Sequence, residues 1–246
     1  MITDQKPLPN VKQRVQNHAV IILASGLSQR LGQPKQLLSK SSLPLVSYMI
    51  EQALSTQPRT VLVIIPKDYP VISKSITKDP AIHTIINPIP KVGMAHSLSL
   101  GIAALAEFNN SKPLERILIM GIDQVLLDES HLHRLLAGQS EVVASCYDNW
   151  QPLIGFPSIK PSKNNSQFNK TAEDNTKKGI IGLPLVINYQ RLKSWQAALS
   201  GDKGLRHLIR ALPSQQIETM VNNQLSYDID TPEQLAYARQ QGWLDP

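Results

Sequence analysis

An α/β fold built on a single doubly wound, mostly parallel sheet is predicted by three features of the chain. Short continuous apolar runs recur along it, the pattern of strands buried on both faces. Amphipathic segments with helical spacing alternate with those runs, which favours crossover connections over hairpins. A glycine-containing turn directly follows the first run, where ligands bind at the carboxyl ends of parallel strands.

The first strand is read in His18-Ala19-Val20-Ile21-Ile22-Leu23 and the second in Thr60–Ile65. A weaker one spans Ile82–Ile86, and Arg116–Met120 ends at Gly121. Further strands are expected at Glu141–Ser145, Pro184–Ile187 and Ile217–Val221. Helices are expected at Pro44–Leu54, Ala95–Phe108, Glu129–Leu136, Gln190–Leu199, Gly204–Leu212 and Pro232–Gln241. Residues 1–17 read as a polar lead-in and 18–246 as one domain. Residues 158–178 hold five lysines, Glu173 and Asp174 and few apolar side chains, and read as a flexible insertion; a lid over an anionic substrate is the less favoured reading.

Composition narrows the function. With 246 residues, 41% of them hydrophobic, the chain can bury a sizeable core. No apolar run approaches the ~18 residues of a membrane span, and the N-terminus lacks the apolar centre of a signal peptide. Cys146 is the single cysteine, which excludes an intrachain disulfide and a thiolate metal cluster and fits a reducing cytoplasm. The net charge of +6 suits anionic partners, but aromatics are only 5%, so the stacking platforms of a nucleic-acid binder are not evident. A small polyanion is the more economical partner. A nucleic-acid module would instead show steeply salt-dependent binding.

The turn after the first strand carries the most chemistry. It reads LASGLSQRLGQPKQLL over residues 23–38. Gly26 and Gly32 let backbone amides face a ligand, and successive amides form an anion-binding nest. Arg30 adds a forked phosphate donor and Lys35 a compact point charge. The spacing is not that of the P-loop, since Gly26 and Gly32 lie six apart and Gln33 follows, and G-x-G-x-x-G is absent. A triphosphate cradle is the expectation.

This string resembles the LAAGxSxRMGxxKxLL signature of the MobA-like nucleotidyltransferases, and within them the molybdenum cofactor cytidylyltransferase group. Ser25 replaces the usual Ala, and Leu31 the usual Met. Other segments follow in the same order. Gly121-Ile122-Asp123-Gln124 resembles GDQP, with Val125 for Pro. Asp228-Ile229-Asp230-Thr231-Pro232-Glu233 resembles DIDTPEDL, and is at once a good helix start with Thr231 as cap. Gly93-Met94-Ala95-His96-Ser97-Leu98 is similar to GMSxSL, a nucleotide-recognition segment. His96 has no partner of metal-ligand spacing and reads as incidental. Gly182-Leu183-Pro184 resembles a G-x-P segment beside the acceptor, where the middle residue is often His. Residues 200–206 resemble SGDKGAR.

The resemblance implies a nucleotide-diphospho-sugar-transferase-like, Rossmann-like fold and a Mg²⁺-dependent nucleotidyl transfer with pyrophosphate release. Leu23, Ala24, Ser25, Gly26, Ser28, Arg30, Lys35, Gly93 and Ser97 would bind the nucleotide. Arg30 would hold the β- and γ-phosphates, and Lys35 would stabilise charge developing at the α-phosphate. Asp123 and Asp230 would hold the metal, with Asp228 behind them. Gly182, Pro184, Asp202, Lys203 and Arg206 would bind the acceptor. The implied substrates are CTP and molybdopterin-bound molybdenum, giving the cytosine dinucleotide; GTP would give the guanine form. Implied partners are a molybdoenzyme and its cofactor-insertion chaperone. A non-catalytic nucleotide-binding chaperone or regulator is the alternative, supported by Ile122, Val125 and Ala95.

Overall fold

The computed structural model describes residues 17–108, 113–147, 179–201 and 204–246. The insertion read at 158–178 lies outside them, as do Asp202 and Lys203.

The elements follow in chain order. Strand β1 (His18–Leu23) leads through the cradle loop to a two-residue hairpin, β2 (Ser39–Lys40) and β3 (Leu43–Pro44), and then helix α1 (Leu45–Ser55). Next come β4 (Val61–Pro66), the short α2 (Pro70–Lys74), β5 (Ile82–Asn87), α3 (Met94–Leu105), β6 (Arg116–Gly121), α4 (Glu129–Ala137) and β7 (Val142–Tyr147). The described chain resumes with β8 (Ile180–Asn188), α5 (Tyr189–Trp195), α6 (Arg206–Arg210), β9 (Ile217–Val221) and α7 (Pro232–Gln240).

Seven strands form one sheet in the order β5-β4-β1-β6-β8-β7-β9. The pairs β5–β4, β4–β1, β1–β6 and β7–β9 are parallel, while β8 is antiparallel to both neighbours. The sheet is therefore mostly parallel, as expected. Strands β1, β4 and β6 are buried along their whole length, which is why their sequences run apolar without alternation.

Successive side chains still serve opposite faces. Val20 and Ile22 pack with Val46, Met49 and Ile50 of α1 and Leu132 and Leu135 of α4. Ala19, Ile21 and Leu23 pack with Leu98, Ile102 and Leu105 of α3. Each such buried aliphatic side chain contributes about 1.5–3 kcal/mol of transfer free energy. Gly101 lets α3 approach closely, since a Cβ there would lie 3.1 Å from Ile21 Cγ2. That approach brings the first turn of α3 to the end of β1.

Several expected boundaries move. The strand read at Pro184–Ile187 extends over Ile180–Asn188, because β6 and β7 both pair with it. The helix read at Gly204–Leu212 shrinks to Arg206–Arg210, with Gly204 at φ +52° in the left-handed region before it. The helix read at Gln190–Leu199 is α5, capped by Asn188, followed by a 3₁₀ turn at Gln196–Ala198. Thr231 and Gln234 form a reciprocal capping box at the start of α7. No helix among the described residues is long and apolar enough to cross a membrane.

Candidate active site

The cradle loop is shaped from behind by a buried side chain. Gln36 Nε2 donates to the carbonyls of Ala24 (2.6 Å) and Gly26 (2.9 Å). Ser28 stands at φ +50°, and its carbonyl accepts from the N–H groups of Leu31 and Gly32. The hydroxyl of Ser28 then accepts from the Lys35 N–H at 3.2 Å. These bonds fold residues 24–35 into a tight ring and set Lys35 at the start of a 3₁₀ turn.

Lys35 meets two carboxylates from distant parts of the chain. Its Nζ lies 2.6 Å from Asp230 Oδ1 and 3.3 Å from Asp123 Oδ2. Arg30 reaches the other Asp230 oxygen at 2.5 Å. Burial works to lower the pKa of Lys35, but the charge of Asp123 and the hydrogen bond and charge of Asp230 outweigh it and hold the ammonium above its ordinary range. Burial likewise favours protonating Asp230, yet Lys35 and Arg30 keep it below the ordinary carboxylate range. Asp228 keeps an open face to solvent but stands among many protein atoms. That crowding, and then the like charges of Asp123 and Asp230, push it up to about 7.

Gly121 leaves room for the Asp123 carboxylate, since a Cβ there would sit 3.0 Å from Oδ1. Gln124 turns inward, its amide donating to the Leu183 carbonyl. Ile122 and Val125, where the chain departs from GDQP, are 5% and 0% exposed and belong to the core.

Two chambers open at the carboxyl ends of the central strands. The first, about 870 Å³, is lined by the cradle together with Gly93, Ser97, Asp123 and Asp230. The second, about 670 Å³, is lined by apolar side chains of β6, β8 and α6, and by Tyr147, Gly182, Arg206, His207, Arg210 and Asp228. Leu23, Met94, Asp123 and Leu183 border both. The structure thus brings together Leu23, Ser25, Gly26, Ser28, Arg30, Lys35, Gly93, Ser97, Asp123 and Asp230 in the first chamber. Gly182 and Arg206 belong to the second.

Two expected residues line neither chamber. Ala24 is buried beneath the cradle, its N–H bonded to the Ile64 carbonyl. Pro184 gives its carbonyl to the Ser145 hydroxyl at 2.6 Å. Sequence reasoning did not single out Gln36, Asn87 or Tyr147. Asn87 ends an edge strand and bonds both Ser25 and Ser97. The Tyr147 hydroxyl occupies the space a Cβ on Gly182 would take. Only Asn87, standing before Pro88 at a strand end, carried a local signal.

The donor set suits a hard divalent cation. Asp123 and Asp230 both contact one ammonium, so two carboxylates converge on a single positive centre. Among the described residues no group of three or more His, Cys, Asp or Glu side chains could hold a metal. Two carboxylates completed by substrate phosphates and water is the usual Mg²⁺ environment.

Residues 20–217 match the model of the MobA-like NTP transferase domain. The chain belongs to that family. This MobA-like domain shares its fold with solved structures of low sequence identity. Rv0371c of Mycobacterium tuberculosis H37Rv aligns with TM-score 0.65 at 16% identity, over 92% of this chain and 100% of that one. The 4-diphosphocytidyl-2C-methyl-D-erythritol synthase of Anaerococcus prevotii aligns with TM-score 0.65 at 13% identity, over 92% and 96%. A nucleotidyl transferase of Methanothermobacter aligns with TM-score 0.64 at 15% identity, over 92% and 97%. A manganese complex of Rv0371c also aligns, with TM-score 0.59 at 15% identity, over 90% of this chain and 97% of that one. No curated protein matches the chain by sequence. Membership places the protein in the nucleotidyltransferase superfamily.

Proposed function

We propose that this MobA-like protein is a divalent-metal-dependent cytidylyltransferase that joins CTP to molybdenum-molybdopterin and releases pyrophosphate. The observation that carries the reading is the convergence of Lys35, Asp123 and Asp230 where the two chambers meet. A triphosphate laid along the cradle would place its α-phosphate at that seam, within reach of an acceptor phosphate in the second chamber.

The chemistry is in-line displacement at the α-phosphate. Positioning and charge stabilisation do most of the work in such transfers. The oxygen of the acceptor phosphate forms the new bond to the α-phosphorus, and the bridge to the β-phosphate breaks. Arg30, with its side chain 71% exposed, would leave its pairing with Asp230 to hold the β- and γ-phosphates. Lys35 would stabilise charge growing at the α-phosphate. Asp123 and Asp230 would hold Mg²⁺, which supplies Lewis-acid shielding of the triphosphate when bound. A fold neighbour, Rv0371c, forms a complex with manganese, which is compatible with a divalent ion in this protein. Arg206 would meet the acceptor phosphate, and the apolar wall of the second chamber its ring system. An acceptor that is already a phosphate monoester needs no general base. We place the protein in the cytoplasm, serving a molybdoenzyme with its insertion chaperone.

The cytosine assignment rests on the LASGLSQRLG signature, and a diphosphocytidyl synthase among the fold neighbours is compatible with it. GTP with the same frame gives the guanine dinucleotide. Pyrophosphate release is the test, with Mg²⁺ and CTP or GTP, with and without molybdenum-loaded molybdopterin. Release needing both CTP and the cofactor is the expected outcome. Preference for GTP would overturn the base assignment, and no release would overturn the acceptor or the enzyme reading.

A further inference from the structure

The first chamber is unevenly charged. Arg30, Lys35, Asp123 and Asp230 crowd one end, toward β6. The other end, over β4 and β5, is lined by Ser25, Pro90, Gly93 and Ser97, with Lys91 exposed at the rim. A nucleotide whose phosphates lie at the charged end puts its base at this one.

Three side chains there form a closed triangle. Ser25 Oγ and Ser97 Oγ are 2.6 Å apart. The Asn87 amide nitrogen is 3.2 Å from the first and 3.0 Å from the second. Asn87 cannot turn its oxygen toward them, because that oxygen accepts from the Ile89 N–H at 2.9 Å. The amide is therefore a fixed donor to both hydroxyls.

Hydrogen-bond accounting then leaves a remainder. Each hydroxyl has one proton and two lone pairs. One proton is used between the serines, and each oxygen accepts from Asn87. The serine that accepts from its neighbour keeps its own proton unused. The serine that donates keeps one lone pair unused. Either oxygen can be the donor, so a concerted rotation of the two hydroxyls exchanges the roles.

We propose that Ser25 and Ser97, oriented by Asn87, present a reversible donor–acceptor pair to the base edge, so that the site binds cytosine and uracil nucleotides about equally. Cytosine offers an amino donor beside a ring-nitrogen acceptor. Uracil has the same shape but the opposite order, a keto acceptor beside an N–H donor. A pair of fixed polarity rejects one of them, since a mismatched polar group is left unpaired; a pair that rotates meets both. Ser25, where the family signature carries Ala, is what makes the pair. The inference rests on the nucleotide reading of the cleft. It makes UTP a competitor of CTP for binding, whichever of them turns over.

The test is equilibrium titration of the full chain, in Mn²⁺, with the α,β-methylene analogues of CTP and UTP, and with inorganic pyrophosphate as a base-free probe. The expected result is CTP and UTP analogue affinities within about threefold. Ser25→Ala weakens both by about fivefold, the loss of one net hydrogen bond, and leaves pyrophosphate binding unchanged. A preference above about tenfold between the two analogues in the parent protein, the discrimination a fixed pair gives, overturns the inference and leaves the nucleotide site standing. Loss of pyrophosphate binding in Ser25→Ala also overturns it, because the residue would then only shape the loop. Failure of every nucleotide to bind removes the proposed function with it.

Discussion

Replacing Lys35 with Met tests whether its ammonium neutralises the carboxylate pair. The side chain keeps its length and loses its charge. Asp230 and Asp123, 2.6 Å and 3.3 Å from the lost ammonium, then face each other with only the exposed Arg30 still paired to Asp230. Breaking a fully buried pair costs about 3–5 kcal/mol, whereas exposed pairs contribute about 0–1. Lys35 is 9% exposed, but its partners are 34% and 31% exposed, so solvent screens part of the repulsion. We expect a loss of about 2 kcal/mol, between those limits, and a melting temperature lower by roughly 4–8 °C for a chain of this size. The same carboxylates should then gather a divalent cation more readily. Millimolar Mn²⁺ should therefore raise the melting temperature of K35M more than that of the parent protein. Pyrophosphate release should fall by at least about 100-fold, the effect of removing one charge-stabilising donor. An unchanged melting temperature at pH 8, with no larger response to Mn²⁺, would refute the argument.

Other outcomes follow from neighbouring features. Asp123→Asn should abolish pyrophosphate release yet retain nucleotide binding, since the cradle amides and cations are untouched; a titration with the α,β-methylene CTP analogue checks this. His131 is fully buried against Ser145, and burial, then the Arg134 charge, lower its pKa to about 4. Its ordinary value is 6.5, so between those pH values the unfolded chain binds a proton that the folded chain does not. Stability should fall as pH drops through that window by up to about 3 kcal/mol, and His131→Asn should flatten that part of a denaturation-versus-pH curve. Thr231→Ala removes half of the capping box on α7 and should cost about 1 kcal/mol in urea denaturation. It should also raise the KM for nucleotide, since Asp230 precedes the cap directly.

The central sheet was readable because its strands are buried on both faces. Runs such as Val61–Ile65 have no polar position to confuse strand with surface helix. Elements at the periphery were less legible. The strand β8 begins with half-buried residues, and its partners β6 and β7 define its length. The short α6 follows a left-handed Gly204 whose conformation the sequence alone does not announce. Among site residues, Lys35, Asp123 and Asp230 were legible through motif strings lying far apart in sequence, and folding brings them within one ion-pair distance. Ala24 and Pro184 carry the same motif signal but line neither chamber, because a motif records backbone roles as well as side chains that touch ligand. Asn87 and Gln36 escaped for the converse reason. Each acts through polar bonds that no motif string marks: Gln36 to carbonyls earlier in its own loop, and Asn87, whose place before Pro88 marks only a strand end, to Ser25 and Ser97.

The departures from the family strings bear on whether the protein turns over its nucleotide. Ile122 and Val125 lie in the loop that carries Asp123, and a damaged loop would favour a binding protein over an enzyme. Both side chains instead belong to the core beside α1 and α4 and are almost without solvent exposure, although Ile122 also borders the first chamber. The loop is held by backbone bonds, Val125 N–H to the Asp123 carbonyl at 3.0 Å and Leu127 N–H to the Gln124 carbonyl at 3.0 Å. A proline in place of Val125 would delete the first of these, so the valine contributes a donor of its own. Ala95 is similarly buried, and its N–H bonds the Gly201 carbonyl at 3.2 Å, joining the start of α3 to the segment that leads into α6. Val125 and Ala95, two of the three substitutions that favour a non-catalytic reading of the sequence, therefore fall on structural positions away from both chambers. The charged side chains that the proposed transfer would use remain converged where the two chambers meet.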